Sequence, residues 1–344
     1  MRALVFRGVE EVAWEEVPDP RILDPGDVVV EVAAAGLCGS DLHPYFGREE
    51  GLDAGTVLGH EFTGVVVEAG PAVTRWSAGD RVVAPFTTSC GVCAPCGNGL
   101  TSRCVRGQLF GWVEGGVGLH GGQATLVGVP EALRDDALAL LAGDILSTAL
   151  YGAELARIRP GDEVAVVGCG PVGLLAVRAA LRAGAARVWA VDPVPGRRET
   201  AERFGARALD PSEAGPRGGE DHPVAGSASP LGRFDAVIEA AGTPQATRLA
   251  ASLLRPGGRL GAVAVHTEPR LALSPGALYD RNLAYAAGRC PARRLLPAAL
   301  RMAEEESDLL ATLVSHRLPL ERGPEAYRRF GAREAGWHKV VYTP

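Results

Sequence analysis

The sequence predicts an α/β protein that combines a β-rich domain with a doubly wound parallel sheet. Residues 1–145 contain short β-branched segments separated by proline and glycine turns. Between Glu163 and Asp192 a strand, a glycine turn, a helix and a second strand follow one another, which is the order of a βαβ unit. At 344 residues the chain exceeds one ordinary hydrophobic core. We therefore predict two domains, one formed by 1–145 with 290–344 and the other by 146–289.

The composition is that of a soluble globular protein, with 47% hydrophobic and 22% charged residues. A net charge of −6 argues against a nucleic-acid or anionic-membrane surface. We see no apolar run of the roughly 18–20 residues that a membrane helix needs. Met1–Phe6 is also too short and too soon polar to begin a signal peptide. We expect a cytoplasmic protein with neither a nucleic-acid nor a membrane partner.

The β-rich domain opens with strands predicted at Ala3–Phe6 and Val28–Val32. A further strand is predicted at Val65–Glu68, and Gly79–Val83 is predicted to be a turn that leads into another strand. The glycine-rich stretch Gly36–His43 lies among them. It places the thiol of Cys38, the hydroxyl of Ser40 and the imidazole of His43 within six residues. This set suits a zinc ligand with a proton path beside it, and the alternative is a buried free cysteine next to a turn.

Four of the seven cysteines lie within fifteen residues, as Cys90, Cys93, Cys96 and Cys104. Short spacings of this kind let the backbone turn around one tetrahedral zinc ion. Because four thiolates leave no position for a substrate, we predict a structural zinc site. A nucleic-acid-binding zinc knuckle is the rival interpretation, and the acidic balance of the chain argues against it.

A nucleotide-binding turn is predicted after the apolar strand Glu163–Val167, where the sequence G-x-G-x-x-G opens a helical run. Free N–H groups at the start of that helix favour a pyrophosphate. Asp192 ends the next strand, 19 residues after the last glycine, and suits the adenosine ribose of NAD. Arg197 leaves NADP open, since an arginine there could also meet a phosphate. The residues predicted to bind the cofactor are Gly168, Gly170, Pro171, Val172, Gly173, Asp192 and Arg197.

The parallel sheet is expected to continue with strands at Phe234–Ala240 and Gly258–Val265. Between Pro211 and Gly232 the chain is rich in Gly, Pro, Ser and Glu, and we expect a poorly ordered excursion there. A helix over Leu295–Glu305 and a last strand at Lys339–Tyr342 are expected to return to the β-rich domain.

Taken in order, these motifs resemble the zinc-dependent medium-chain alcohol dehydrogenases over essentially the whole chain. The resemblance rests on Cys38–His43, Gly59–Glu61, the four-cysteine loop, the glycine turn and Asp192. It implies a GroES-like catalytic domain, a Rossmann NAD-binding domain, and two zinc ions per chain.

The resemblance also implies that Cys38 and His60 bind the catalytic zinc. The third ligand of the family is commonly a cysteine, and here Asp144 stands in its place between two predicted helices. This is similar to the branch that contains glutathione-independent formaldehyde dehydrogenases. Thiolate and carboxylate together carry the charge of two thiolates, so zinc accepts the exchange. A helix cap is the alternative role for Asp144, and Glu61 is implied to be a carboxylate that reaches the zinc transiently.

The activity implied is hydride transfer between an alcohol, aldehyde or ketone and NAD. Ser40 is expected to take the substrate's hydroxyl proton and pass it through the nicotinamide ribose toward His43, whose alternative role is to cap a turn at the surface. Phe86 resembles an apolar wall of the substrate pocket, or is a plain core residue. An aldehyde dismutase with tightly held NAD and a non-catalytic dinucleotide-binding protein stay open. Bacterial relatives are often homotetramers, and we expect a homo-oligomer, either dimer or tetramer.

Overall fold

The computed structural model describes residues 1–121, 127–128, 135–214 and 233–344, which form two compact units. The first, called the β-rich unit, comprises Met1–Ser147 and Pro291–Pro344. The second, called the parallel-sheet unit, comprises Thr148–Cys290.

The strands of the described chain are β1 (Arg2–Gly8), β2 (Glu11–Glu16), β3 (Val28–Leu37), β4 (Phe62–Ala69), β5 (Arg81–Val83), β6 (Trp112–Glu114), β7 (Val117–Leu119), β8 (Val127–Gly128), β9 (Glu163–Val167), β10 (Arg187–Val191), β11 (Arg207–Leu209), β12 (Phe234–Glu239), β13 (Leu254–Ala262), β14 (Ala284–Ala287), β15 (His316–Pro319) and β16 (Val340–Thr343). The α-helices are α1 (Leu42–Tyr45), α2 (Ala94–Gly97), α3 (Asp136–Gly143), α4 (Ile145–Leu155), α5 (Pro171–Arg182), α6 (Pro195–Arg203), α7 (Pro211–Ala214), α8 (Pro244–Leu253), α9 (Pro275–Asp280), α10 (Ala292–Glu305), α11 (Ser307–Ala311) and α12 (Gly323–Gly331). Single 3₁₀ turns lie at Gly39–Asp41, Thr101–Arg103 and Leu320–Arg322.

The β-rich unit is built on a six-stranded sheet in the order β15-β16-β3-β4-β5-β8. The C-terminal strand β16 pairs with β3, so the end of the chain does return to this unit. β3 and β4 are antiparallel, with Ala35 opposite Phe62. β3 ends at Leu37 and the antiparallel β4 begins at Phe62. The residues after β3 and before β4 therefore emerge at the same end of these two strands.

The parallel-sheet unit has the strand order β11-β10-β9-β12-β13-β14, with every neighbouring pair parallel. Its central strand β9 is buried on both faces from Val164 to Val167, as its near-continuous apolar sequence predicts. The order reverses between β9 and β12, which is the arrangement of a doubly wound dinucleotide-binding sheet. The predicted fold class is thereby confirmed.

The expectation that no segment has membrane length was wrong for α3 and α4. Asp136–Leu155, which spans both helices, is long enough and apolar enough to cross a membrane, although 67% of its most apolar window is buried inside the protein. The two helices are also interrupted at Asp144, whose φ of −135° and ψ of −81° are not helical. The segment is therefore a pair of core helices, hydrophobic because protein surrounds it.

The expected excursion over Pro211–Gly232 begins instead with the ordered helix α7 at Pro211–Ala214. Residues 215–232 lie outside the described part of the chain.

Candidate active site and metal centres

Four side chains with metal-binding atoms converge at the edge of the sheet in the β-rich unit. Ligand atoms of Cys38, His60, Glu61 and Asp144 all lie within 4.8 Å of one another. Asp144 Oδ2 lies 3.3 Å from His60 Nε2 and 3.6 Å from Cys38 Sγ. The structure thus brings together the four residues that the sequence proposed for one site, although 106 residues separate Cys38 from Asp144.

Asp144 is placed by the break between α3 and α4. A Cβ on the preceding Gly143 would lie 2.4 Å from the carbonyl oxygen of Ala84, so glycine allows the end of α3 to approach the backbone that follows β5. This close approach sets the carboxylate of Asp144 against Cys38 and His60.

Asp41 orients His60, and the sequence reasoning did not assign it. One of its carboxylate oxygens lies 2.9 Å from His60 Nδ1, and the other accepts a hydrogen bond of 2.9 Å from the Cys38 amide. The pair fixes Nδ1 as the protonated nitrogen, so Nε2 faces the cluster. Burial alone would lower the pKa of His60, but Asp41, Asp144 and Cys38 raise it well above its usual value. The signal was present in the sequence, since Asp41 lies directly beside Ser40 in the same motif.

Ser40 stands beside the cluster with its Oγ 3.3 Å from both Cys38 Sγ and His60 Nε2. His43 lies in α1, and its Nδ1 is buried without a hydrogen-bond partner among the described residues. Burial and the nearby Arg48 guanidinium lower the pKa of His43, which favours the neutral imidazole. Phe86 is buried and packs edge-on to the His60 ring, with centroids 6.5 Å apart. His120, which the sequence left outside the site, accepts a hydrogen bond from the Val57 amide instead.

A buried ion pair between Lys339 and Glu61 holds one carboxylate of the cluster in place. Lys339, the only lysine of the sequence, is fully buried, donates to Glu61 Oε2, and lies 3.1 Å from the carbonyl oxygen of Leu37. Burial alone would lower the pKa of Lys339, but the Glu61 carboxylate raises it and keeps the ammonium charged. The sequence reasoning missed this partner, because 278 residues separate it from Glu61.

The donor set fits a zinc ion. Thiolate, imidazole and carboxylate are all zinc ligands, and together they leave a coordination position open. Burial raises the pKa of the Cys38 thiol most, and the carboxylates of Asp144 and Glu61 raise it further. Without a cation, a Cys38 thiolate and these two carboxylates would repel one another. Glu61 Oε1 is buried and lacks a hydrogen-bond partner within the described ranges. A dication together with the ammonium of Lys339 would neutralise the negative charges of one thiolate and two carboxylates.

The four-cysteine loop forms a second and separate cluster. Ligand atoms of Cys90, Cys93, Cys96 and Cys104 also lie within 4.8 Å of one another. The amides of Cys90 and Arg106 donate to Cys104 Sγ at 3.2 and 3.4 Å, which is the pattern expected around a thiolate. Backbone N–H groups and the Arg106 guanidinium lower the pKa of Cys90 to about 5, whereas burial raises the pKa of Cys96 to about 11. A zinc ion that bound all four would ionise them together.

We expect about two zinc ions per chain by elemental analysis of the purified protein, since each cluster supplies one set of ligands. Cys104→Ser should lower the content to about one. As a control, Cys290→Ser should keep both ions, because Cys290 is buried outside both clusters. A wild-type value near one would contradict a metal in one of the two clusters.

The glycine turn of the parallel-sheet unit has the geometry that a dinucleotide requires. Gly168 has a φ of +93°, and a Cβ on Gly173 would lie 1.7 Å from the carbonyl oxygen of Gly168. Pro171 begins α5, with Gly170 as its N-cap residue. A Cβ on Gly170 would meet nothing within 4 Å, so the space over the helix start is open. The predicted turn therefore exists and suits a phosphate.

Asp192 lies beside this turn and is almost fully buried. Its two carboxylate oxygens accept hydrogen bonds of 2.8 Å from the amides of Cys169 and Val194. Arg197 Nη1 lies 3.8 Å from the Asp192 carboxylate. The acid is thus fixed at the end of β10 by two backbone hydrogen bonds.

Comparison with known proteins agrees with both units. Residues 24–134 match the alcohol dehydrogenase GroES-like domain, and residues 171–305 match the zinc-binding dehydrogenase domain. The zinc-type alcohol dehydrogenase B of Aspergillus flavus is 38% identical over 99% of this chain and 81% of its own length. The structure of the alcohol dehydrogenase TADH from Thermus sp. ATN1 matches all of both chains, with a TM-score of 0.90 at 36% identity. The glutathione-independent formaldehyde dehydrogenase of Pseudomonas aeruginosa is 36% identical over 62% of this chain and 60% of its own length.

Proposed function

Because the chain belongs to the zinc-containing medium-chain alcohol dehydrogenase family, we propose that Cys38, His60 and Asp144 hold the zinc of its active site. The protein is a zinc-dependent alcohol dehydrogenase that interconverts alcohols and carbonyl compounds with a nicotinamide dinucleotide. A non-catalytic dinucleotide-binding protein is thereby excluded. The observation that carries the ligand assignment is the convergence of the three donors, with His60 Nε2 turned toward Asp144 by Asp41.

When bound, zinc supplies a Lewis acid that lowers the pKa of a substrate hydroxyl, and the dinucleotide supplies the hydride acceptor. The protein moves the proton. Ser40 lies 3.3 Å from two proposed ligand atoms, which is where a coordinated hydroxyl would come within reach of its oxygen. Ser40 can accept that proton while donating its own onward. His43, kept neutral by burial and by Arg48, is suited to receive it.

Glu61 is proposed as a mobile second carboxylate rather than a permanent ligand. Its Oε2 is held by Lys339, whereas its Oε1 is free of any partner in the described residues and lies in the donor cluster. An oxygen so placed could serve as a further donor to a bound metal, while the ion pair retains the side chain. Phe86 is proposed as an apolar wall, because it packs against the ring of a proposed ligand.

An aspartate as the third proposed zinc ligand, Asp144, favours placing this chain in the branch that resembles glutathione-independent formaldehyde dehydrogenases. The partial similarity to the Pseudomonas aeruginosa enzyme points the same way, although it spans under two thirds of either chain. The proposal is tested with purified protein, a panel of alcohols and aldehydes, and NADH absorbance. Formaldehyde oxidation without glutathione supports the branch, and oxidation of other alcohols alone contradicts it. Disproportionation of an aldehyde without added NAD would instead identify a dismutase.

We infer that NAD is preferred over NADP, since a carboxylate at the ribose repels a 2′-phosphate. Asp192→Ala should lower the ratio of kcat/KM for NAD to that for NADP by at least about tenfold, because hydrogen bonds to a charged group contribute about 1.5–3 kcal/mol each. Asp192→Asn keeps an oxygen acceptor for only one of the two backbone amides, so circular dichroism of both variants controls for damage to the turn. Steady-state kinetics with both cofactors measure the ratio, and an unchanged ratio would remove Asp192 from the ribose contact.

The domain roles follow from the same proposal, with 1–145 and 290–344 catalytic and 146–289 binding the cofactor. We further infer a homo-oligomer, dimer or tetramer, in the cytoplasm. Light scattering coupled to gel filtration tests the first of these, and a monomeric mass would contradict it.

A further inference from the structure

The parallel-sheet unit contains a fully buried carboxylate that the mechanism does not use. Glu239 is the last residue of β12, and none of its surface is exposed. Its Oε1 accepts hydrogen bonds from the amides of Ala241 and Gly242 at 2.8 and 2.7 Å. Its Oε2 lies 2.9 Å from His266 Nε2. A buried carboxylate with three hydrogen bonds is rigid, so it fixes whatever it binds.

Glu239 lies where the strand order of the sheet reverses. Its own carbonyl oxygen accepts from the Val263 amide at 3.0 Å, and the next amide, of Ala240, donates to Val167 at 2.9 Å. A Cβ on Gly168 would lie 2.8 Å from the Cβ of Ala241, so the glycine turn packs directly against the turn that Glu239 caps. In open parallel sheets ligands bind outside the carboxyl ends of the strands at this reversal point.

His266 stands at the same edge, four residues after β13 ends at Ala262. Its side chain remains 27% exposed, and its Nε2 is committed to Glu239. Within residues 1–121, 127–128, 135–214 and 233–344, Nδ1 of His266 has no hydrogen-bond partner. Glu239 therefore orients an imidazole that keeps one nitrogen for a ligand.

The position of His266 selects one part of a dinucleotide. Asp192 lies at the end of β10, so the adenosine half of the dinucleotide would lie over β9, β10 and β11. The nicotinamide half would then lie over β12, β13 and β14. The pyrophosphate belongs at the start of α5, and a phosphate beside the Glu239 carboxylate would be repelled. A ribose hydroxyl can both donate and accept, so it pairs with Nδ1 whether or not that nitrogen carries a proton.

We propose that His266, positioned by Glu239, hydrogen-bonds the ribose of the nicotinamide half of the cofactor. The inference rests on the proposed dinucleotide site, and it adds a specific contact at the second ribose. His266 thereby becomes a cofactor-binding residue, and Glu239 a positioning residue that acts through it.

The test compares three ligands by isothermal titration calorimetry, with no turnover involved. ADP lacks the second ribose, ADP-ribose has it, and NADH adds the nicotinamide. His266→Ala should weaken ADP-ribose and NADH roughly fivefold to tenfold, which is the loss of one hydrogen bond, and leave ADP unchanged. Thr267→Ala, at the exposed neighbouring position, is the matched control and should change none of the three.

The remaining outcomes separate the alternatives. If His266→Ala lost the same affinity for all three ligands, His266 would have a general structural role and the proposal would be overturned. If only NADH binding weakened, His266 would contact the nicotinamide, which would also overturn the proposal. Glu239→Ala removes the partner of His266 Nε2, so it should weaken ADP-ribose as much as His266→Ala does and leave ADP unchanged. Glu239→Gln keeps an acceptor for the two amides and a hydrogen bond to His266, so its ADP-ribose affinity should stay within about twofold of wild type. Wild-type ADP-ribose affinity in Glu239→Ala would overturn the orienting role. Failure of the wild-type protein to bind ADP would instead refute the dinucleotide site itself.

Discussion

Replacing Cys38 with serine is expected to lower kcat/KM about 10³-fold and to remove about one zinc ion per chain. A serine hydroxyl stays protonated where a thiol would ionise on a metal, so the site loses its thiolate. Lewis-acid stabilisation by zinc contributes several kcal/mol to the transition state, and each 1.4 kcal/mol or so is a factor of ten in rate. Steady-state kinetics and elemental analysis on the same preparation measure both effects.

Cys290→Ser is the matched control for this substitution. Cys290 is also buried, lies in the parallel-sheet unit, and belongs to neither metal cluster. We expect its kcat/KM to stay within about twofold of wild type, because an isosteric change away from the site leaves the donors intact. Wild-type turnover in Cys38→Ser, with both zinc ions retained, would remove Cys38 from the mechanism.

Replacing Lys339 with methionine is expected to lower the free energy of unfolding by about 3–5 kcal/mol. The substitution leaves the Glu61 carboxylate buried and without its cation, and breaking a buried pair on one side has a cost of this size. Chemical denaturation monitored by circular dichroism measures it. The zinc content should also fall, because Lys339 holds the carboxylate that lies next to His60.

Two further variants separate a charge effect from a packing effect. The double variant Lys339→Met with Glu61→Gln removes both charges, so it should recover much of the lost stability. Arg317→Met breaks the exposed pair with Asp135 and should cost less than about 1 kcal/mol. If the double variant is no more stable than Lys339→Met alone, the loss comes from packing and not from the unpaired carboxylate.

Most of the structural features that the sequence predicted correctly are recognisable from patterns of neighbouring residues. The apolar strand β9, the glycine turn and the start of α5 are contiguous, so spacing and residue type sufficed to recognise them. The four-cysteine loop closes within fifteen residues, and its four sulfur atoms lie within 4.8 Å of one another. The apolar segment Asp136–Leu155 was missed because Asp144 interrupts it, and only the structure shows that the protein buries most of it.

The sequence by itself determined the fold class, the cysteine loop and the presence of a dinucleotide turn, because each depends on residues a few positions apart. Only the tertiary structure decided that Asp41 holds His60, that the lone lysine pairs with Glu61, and that Glu239 orients His266. These contacts join residues separated by 19 to 278 positions, where no periodicity or spacing rule applies. They form because desolvated charges must find partners inside the folded chain, and the packing of strands and helices decides which ones are within reach.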